Sequence, residues 1–163
     1  MNALGLTHTM FGLVSILFGG LVVARQKGTR GHRIAGRLYF LSMVSLNGTA
    51  LFIYGLFGHF GSFHWLALAS LATILAGLVP VLRRQPPGGW LFYHAEFMSW
   101  SYVGLLAAAV SEITTRLLLF PFGWTVAVSS LLVFLVGGLI VRKGVPLGIA
   151  RVRVSGARPS KSL

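Results

Sequence analysis

Lys27-Gly28-Thr29-Arg30-Gly31-His32-Arg33-Ile34-Ala35-Gly36-Arg37 is a basic hinge between two long apolar runs, and together with Arg25 it gathers five cations around one histidine. Charge of that density is costly in hydrocarbon, whereas the runs on either side are long enough to cross it. The hinge therefore belongs at the cytoplasmic surface. The rest of the topology follows by alternation.

Upstream, Leu4 to Ala24 is an apolar run of 21 residues, enough to span a core of about 30 Å at about 1.5 Å per residue. Its charges come after the run and no Ala-x-Ala site follows, so it reads as a spanning helix with the N-terminus outside. His8, Gly12, Ser15 and Gly19 recur at helical steps, which puts a histidine and a small-residue groove on one inward face. Downstream, Thr29 is placed to cap a helix with His32 in its first turn, and Leu38 to Gly58 returns across the membrane with Asn47 buried. A short uncharged connection, His59 to Phe63, joins it to a third span from His64 to about Leu82, with Ser62 as a candidate cap. Arg83 and Arg84 follow on the cytoplasmic side, then the loop Gln85 to Gly89. A fourth span from Leu91 to Ser111 opens on an interfacial belt of Trp90, Phe92 and Tyr93, and a fifth runs from Trp124 to Val141.

Composition agrees with this reading. Of 163 residues 55% are hydrophobic and 10% charged, where a soluble domain is about a quarter charged. The net charge of +12 would suggest nucleic acid in a soluble protein, but here the cations lie in loops and tail without aromatic interleaving. Their partners are anionic lipid headgroups, and no nucleic acid is expected. By this topology 13 of the 14 cations are cytoplasmic and only Arg116 is outside. Residues 142–163 carry six cations and no acid and read as a solvated tail beyond a five-helix domain of residues 1–141. The absence of cysteine excludes thiolate chemistry and disulfides.

The fold class expected is all-α: an integral membrane bundle of five spans with an antiparallel four-helix core carrying one histidine per helix. His8, His32, His64 and His94 sit near the starts of successive spans, so His8 and His64 share the outer end and His32 and His94 the inner end. In an up-down bundle helices one and three are diagonal, as are two and four, and each pair would face across the core. Facing imidazoles are what the two axial positions of a b-type haem require, with Gly12 and Gly36 offering room for a macrocycle. Zinc, copper or iron would use the same donors. A helix N-terminus disfavours imidazolium and keeps these rings neutral and fit to ligate. The plainer reading of each is a half-solvated histidine at headgroup level.

Glu96 and Glu112 are the only acids. Glu112 lies eighteen residues after His94, about five turns, so it repeats that angular position at the other membrane face. With His8 and His64 it would complete an open metal site of two nitrogens and a carboxylate. The competing arrangement is an i,i+4 ion pair with Arg116. Glu96 is expected to meet a loop arginine. Met98 is a candidate soft ligand whose commoner role is packing. His59 is an alternative to His64, and the outer end, with these extra donors, is the more favourable of the two for a cationic centre.

Thr7-His8-Thr-Met-Phe-Gly12, the hinge, Phe63-His64-Trp65, His94-Ala-Glu-Phe-Met98 and Ser101 to Ala108 followed by Glu112 together form a pattern. It resembles the bacterial membrane proteins grouped as domain of unknown function 2306, over about residues 5–116, the hinge being its most specific part. Ala95-Glu96 stands where that pattern has a basic pair. The resemblance implies a multispanning protein of the bacterial inner (plasma) membrane. No catalytic motif is present. The functional expectation is a membrane protein binding haem or a metal through paired histidines for electron transfer or respiratory-cofactor handling, with a respiratory or redox partner. The alternative is a cofactor-free subunit or scaffold acting through protein and lipid contacts.

Overall fold

The computed structural model describes residues 3–55, 58–118 and 120–156. They form five α-helices and, among the described residues, no strand: α1 Ala3–Ala24, α2 Arg30–Ala50, α3 Ser62–Arg83, α4 Trp90–Leu117 and α5 Phe122–Gly156. Of the five spans expected, three meet both length and apolarity, namely Ala3–Ala24, Ser62–Arg83 and Phe122–Val152. α2 holds the hinge arginines Arg30, Arg33 and Arg37, α4 holds both acids, and the two share the buried polar residues Ser42, Asn47, Ser101 and Ser111.

Polar contacts set the register. α1 and α2 run antiparallel: His8 meets Thr49 at one end, Ser15 donates to Ser42 at 2.9 Å halfway, and Arg25 lies over Gly31 at the hinge. Ser15 and Gly19 are buried, as the small-residue groove requires. α3 and α4 pair in the same sense, with a close approach at Gly77, where a Cβ would lie 3.2 Å from the Met98 backbone nitrogen. Met98 is thus packing against α3. α2 also packs on α3 and α1 on α4, closing a ring in which α1 and α3, and α2 and α4, are diagonal partners. The centre is filled by Tyr39, Met43, Ile74 and Leu105. Across the α2/α4 diagonal the Tyr39 and Ser101 hydroxyls bond at 2.9 Å, and Tyr102 donates to the Ile16 carbonyl at 3.2 Å. These bonds satisfy groups that have no water to turn to in an apolar interior.

α5 stands outside the ring and packs along α4 alone, apart from an edge-on contact of Phe122 with Phe63. Val103 fills the notch at Gly137, and Ser111 bonds Ser129 at 2.8 Å and Ser130 at 2.9 Å.

Three local expectations change. Thr29 does cap α2, accepting from the His32 backbone N–H at 3.2 Å, and Asn47 is buried, donating to the Met43 carbonyl. Ser62, however, lies inside α3, whose cap residue is Gly61. α4 continues past Ser111 to Leu117, so Glu112 and Arg116 are one helical turn apart. α5 continues to Gly156, through Pro146 and the stretch read as a solvated tail. Val141 and Val145 remain buried against Ala95 and Trp100, and this packing carries the helix beyond the point where hydropathy alone would end it. Residues 157–163 lie outside the described residues.

Candidate functional site

The histidines divide between two ends of the ring. At the hinge end, burial holds the His32 ring below the ordinary histidine pKa, and the Lys27 charge pushes it the same way. A contact with the Val22 carbonyl opposes them. A carbonyl can only accept, so beside it the ring can hold its proton on Nε2, which leaves the other nitrogen as a lone pair. That other nitrogen, Nδ1, is buried and has no hydrogen-bond partner. His94, on the diagonal helix and within electrostatic reach of His32, bonds the Gly77 carbonyl through Nδ1 at 2.8 Å. The same logic puts a proton on its Nδ1 and leaves Nε2 as the lone pair. A histidine oriented by a carbonyl through one nitrogen is prepared to ligate through the other.

Around this end Gly36 opens on free space, and a cleft of about 110 Å³ between α1 and α2 is lined by Phe18, Leu21, Ile34 and Leu38 with Arg25 beside them. Lys27 donates to the Val22 and Val23 carbonyls, both at 2.8 Å, closing the end of α1. Glu96 meets no loop arginine here. It accepts from Trp100 Nε1 at 3.1 Å, one turn further along its own helix.

At the opposite end His8 bonds Thr49 Oγ1 at 3.1 Å. The Thr49 hydroxyl proton points to the Leu46 and Ser45 carbonyls, so Thr49 accepts and His8 Nδ1 donates. Glu112 lies within Coulombic reach of His8 but is exposed and pairs with Arg116, whose Nε donates at 2.9 Å. The i,i+4 arrangement is therefore the one observed.

His64 is the buried member of the His59/His64 alternative, only 2% exposed. Its Nδ1 accepts from the Gly61 backbone N–H at 3.1 Å, taking the part a glutamate or glutamine plays in a capping box. A backbone N–H only donates, so neutral His64 carries its proton on Nε2. That N–H is buried and has no acceptor, a deficit of about 1–3 kcal/mol. Tyr54 and Phe60 flank the ring, each with its centroid 4.7 Å away and tilted by 35° and 29°. Neither aromatic is singled out by spacing, because both belong to the α2–α3 connection.

Among the described residues no group of three or more His, Asp or Glu side chains is placed to hold a metal ion. His8, His64 and Glu112 are each engaged with a neighbour of their own.

The sequence profile of the family described as predicted membrane protein, DUF2306, matches residues 5–144. The chain belongs to this family. The match extends through α4 into α5, so the fifth helix is part of the family pattern and not an addition to it. No curated protein and no solved structure matches the chain. The matched range takes in the hinge and the four helices that carry His8, His32, His64 and His94.

Proposed function

We propose that this DUF2306 protein is a five-span bundle of a bacterial inner membrane, N-terminus outside and hinge cytoplasmic, that holds a b-type haem at its cytoplasmic end for electron transfer. The observation that carries this reading is the pair of lone pairs left at one end: His94 Nε2, with Nδ1–H on the Gly77 carbonyl, and the buried unpartnered nitrogen of His32. Rotation of the His32 ring by half a turn about its soft terminal torsion exchanges which of its nitrogens faces the cavity.

The donor set fits this group better than a bare ion. Zinc takes three or four protein ligands, and the described residues assemble no such cluster. Copper or iron as a free cation would meet the repulsion of Arg25, Lys27, Arg30, Arg33 and Arg37. A haem would be held by the imidazoles of His32 and His94, and its anionic propionates would pair with those same cations. The centre of the ring is filled by Tyr39 and Met43, and the open position at Gly36 supports placing a macrocycle at the hinge instead. When bound, the group supplies one-electron chemistry. The chain's part is to hold the ligating rings neutral, orient them and exclude water.

The test is the colour of the full chain purified in detergent from haem-replete cells. A Soret band is expected in wild type, lost in His32→Leu and His94→Leu and kept in His8→Leu and His64→Leu. A colourless wild-type protein with no iron by elemental analysis overturns the reading. One observation favours the cofactor-free alternative: most interior hydroxyls bond one another, Ser15 to Ser42, Tyr39 to Ser101 and Ser111 to Ser129 and Ser130. In that reading the polar groups fix helix packing, and the basic end of α5 contacts a partner or anionic lipid.

A further inference from the structure

His64 lies at the end of the ring away from the hinge, and its chemistry is the reverse of the hinge pair. Its Nδ1 is committed to the Gly61 N–H, so the free edge of the ring presents a proton and not a lone pair. The residue is 2% exposed and Nε2 is unpartnered. An imidazole bound in this way is a poor metal ligand, because a metal at Nε2 would displace the remaining proton and leave an imidazolate. What Nε2–H lacks is an acceptor oxygen.

The surroundings narrow the acceptor. No carboxylate is bonded to His64, and Glu112 is turned to Arg116. Tyr54 and Phe60 flank the imidazole, and Trp65 lies edge-on to Phe60 at 5.3 Å. Tyr54, Phe60 and Trp65 are themselves 43%, 44% and 64% exposed, so the flanking rings reach the surface of the bundle while the nitrogen between them does not. A molecule reaching Nε2–H comes from the membrane, passes between aromatic walls and ends in an oxygen acceptor. Flat rings favour a flat guest by stacking.

We infer that the His64 edge, walled by Tyr54 and Phe60, is a binding site for a flat, carbonyl-bearing, lipid-soluble molecule of the quinone class, held by a hydrogen bond from Nε2–H to one carbonyl oxygen. The site does not depend on haem at the hinge, and it stands or falls separately. The phospholipid ester carbonyl is the other lipid-phase source of the same acceptor, and it lacks the planar face that the walls select.

The full chain, labelled with ¹⁵N-histidine and placed in nanodiscs of diether phospholipid, has no ester carbonyl available to it. Titration with a short-tailed 1,4-naphthoquinone is expected to move the His64 Nε2 proton and nitrogen resonances saturably, and tail-matched naphthalene is expected to leave them unmoved. Tyr54→Leu, which leaves the Gly61 bond intact, weakens binding by about tenfold, the equivalent of one aromatic contact. His64→Phe abolishes the saturable binding. Should that variant not fold, His64→Gln serves, since glutamine restores both the cap and an N–H donor and is expected to bind the quinone measurably. The inference is overturned if the resonances ignore the quinone, or if His64→Phe binds it as wild type does. It is equally overturned if diester lipid alone produces the full shift and the quinone adds nothing.

Discussion

The two ends of the helical ring each hold one buried imidazole nitrogen without a partner, and the two nitrogens are chemical opposites. In the proposed arrangement His32 presents a lone pair at Nδ1, with its proton on the nitrogen nearer the Val22 carbonyl, and His64 presents a proton because its other nitrogen receives the Gly61 N–H. The backbone group that each ring meets decides which it is. On the proposed reading, identical side chains in successive helices would serve different tasks, one ligating a metal centre and one binding an oxygen.

The comparison breaks most completely if the ends are on the wrong sides. Reporter fusions after Arg84 are expected to read cytoplasmic and fusions after Phe120 external, because 13 of the 14 cations fall on one side of the proposed topology. An inverted pattern would place the hinge pair outside and remove the charge argument for haem propionates. Next in size is stability at the two capping positions. Thr29→Ala removes the hydroxyl that accepts from His32 N–H and is expected to cost about 1 kcal/mol in chemical denaturation. His64→Phe also removes a capping bond but relieves a buried unsatisfied donor worth about 1–3 kcal/mol. In ligand-free protein it should be no less stable than wild type, and a clear loss would show that Nε2–H is satisfied by something else.

Acid provides a finer distinction. The folded pKa of His32 lies below its ordinary 6.5, by burial first and Lys27 second. A depressed base contributes stability that is present above the unfolded pKa and lost as pH falls below it. Stability should therefore decline below about pH 6.5, and Lys27→Met should soften the decline by removing the second cause. The smallest effect is at Glu112, exposed and paired with Arg116. Glu112→Gln should change stability by less than about 1 kcal/mol, and a loss of bound ligand with no loss of stability would mark it as a donor after all.

Much of this architecture is legible in the sequence, for reasons that are local. The Thr29 cap, the buried Asn47 and the groove of Ser15 and Gly19 follow from single-helix periodicity and from the cost of polar groups in apolar surroundings. The ring order follows from short connections between antiparallel helices. The site is less legible. Which nitrogen of a histidine is free depends on a carbonyl or an N–H three residues or a whole helix away, as Gly61 and Gly77 show. The flanking Tyr54 falls inside the expected span to Gly58 but beyond the end of α2 at Ala50, so the hydropathy pattern does not bring it to His64. The end of α5 was hidden because Arg142 and Lys143 read as tail, whereas the contacts of Val141 and Val145 with α4 are tertiary.

The solitary contact of α5 with α4 bears on how the protein is made. Translation completes α1 to α4 before α5 leaves the ribosome, and those four already close a ring among themselves. The last helix then arrives beside a ring whose α4 still lacks its broadest contact. It finds its berth by matching a seam of Ser129, Ser130 and Gly137 to Ser111 and Val103 on a single neighbour. Damage to α5 during biogenesis should therefore be felt first on α4, whose broadest helix contact it supplies and whose Ala95, next to His94, packs on the cluster of Val103, Val141 and Val145.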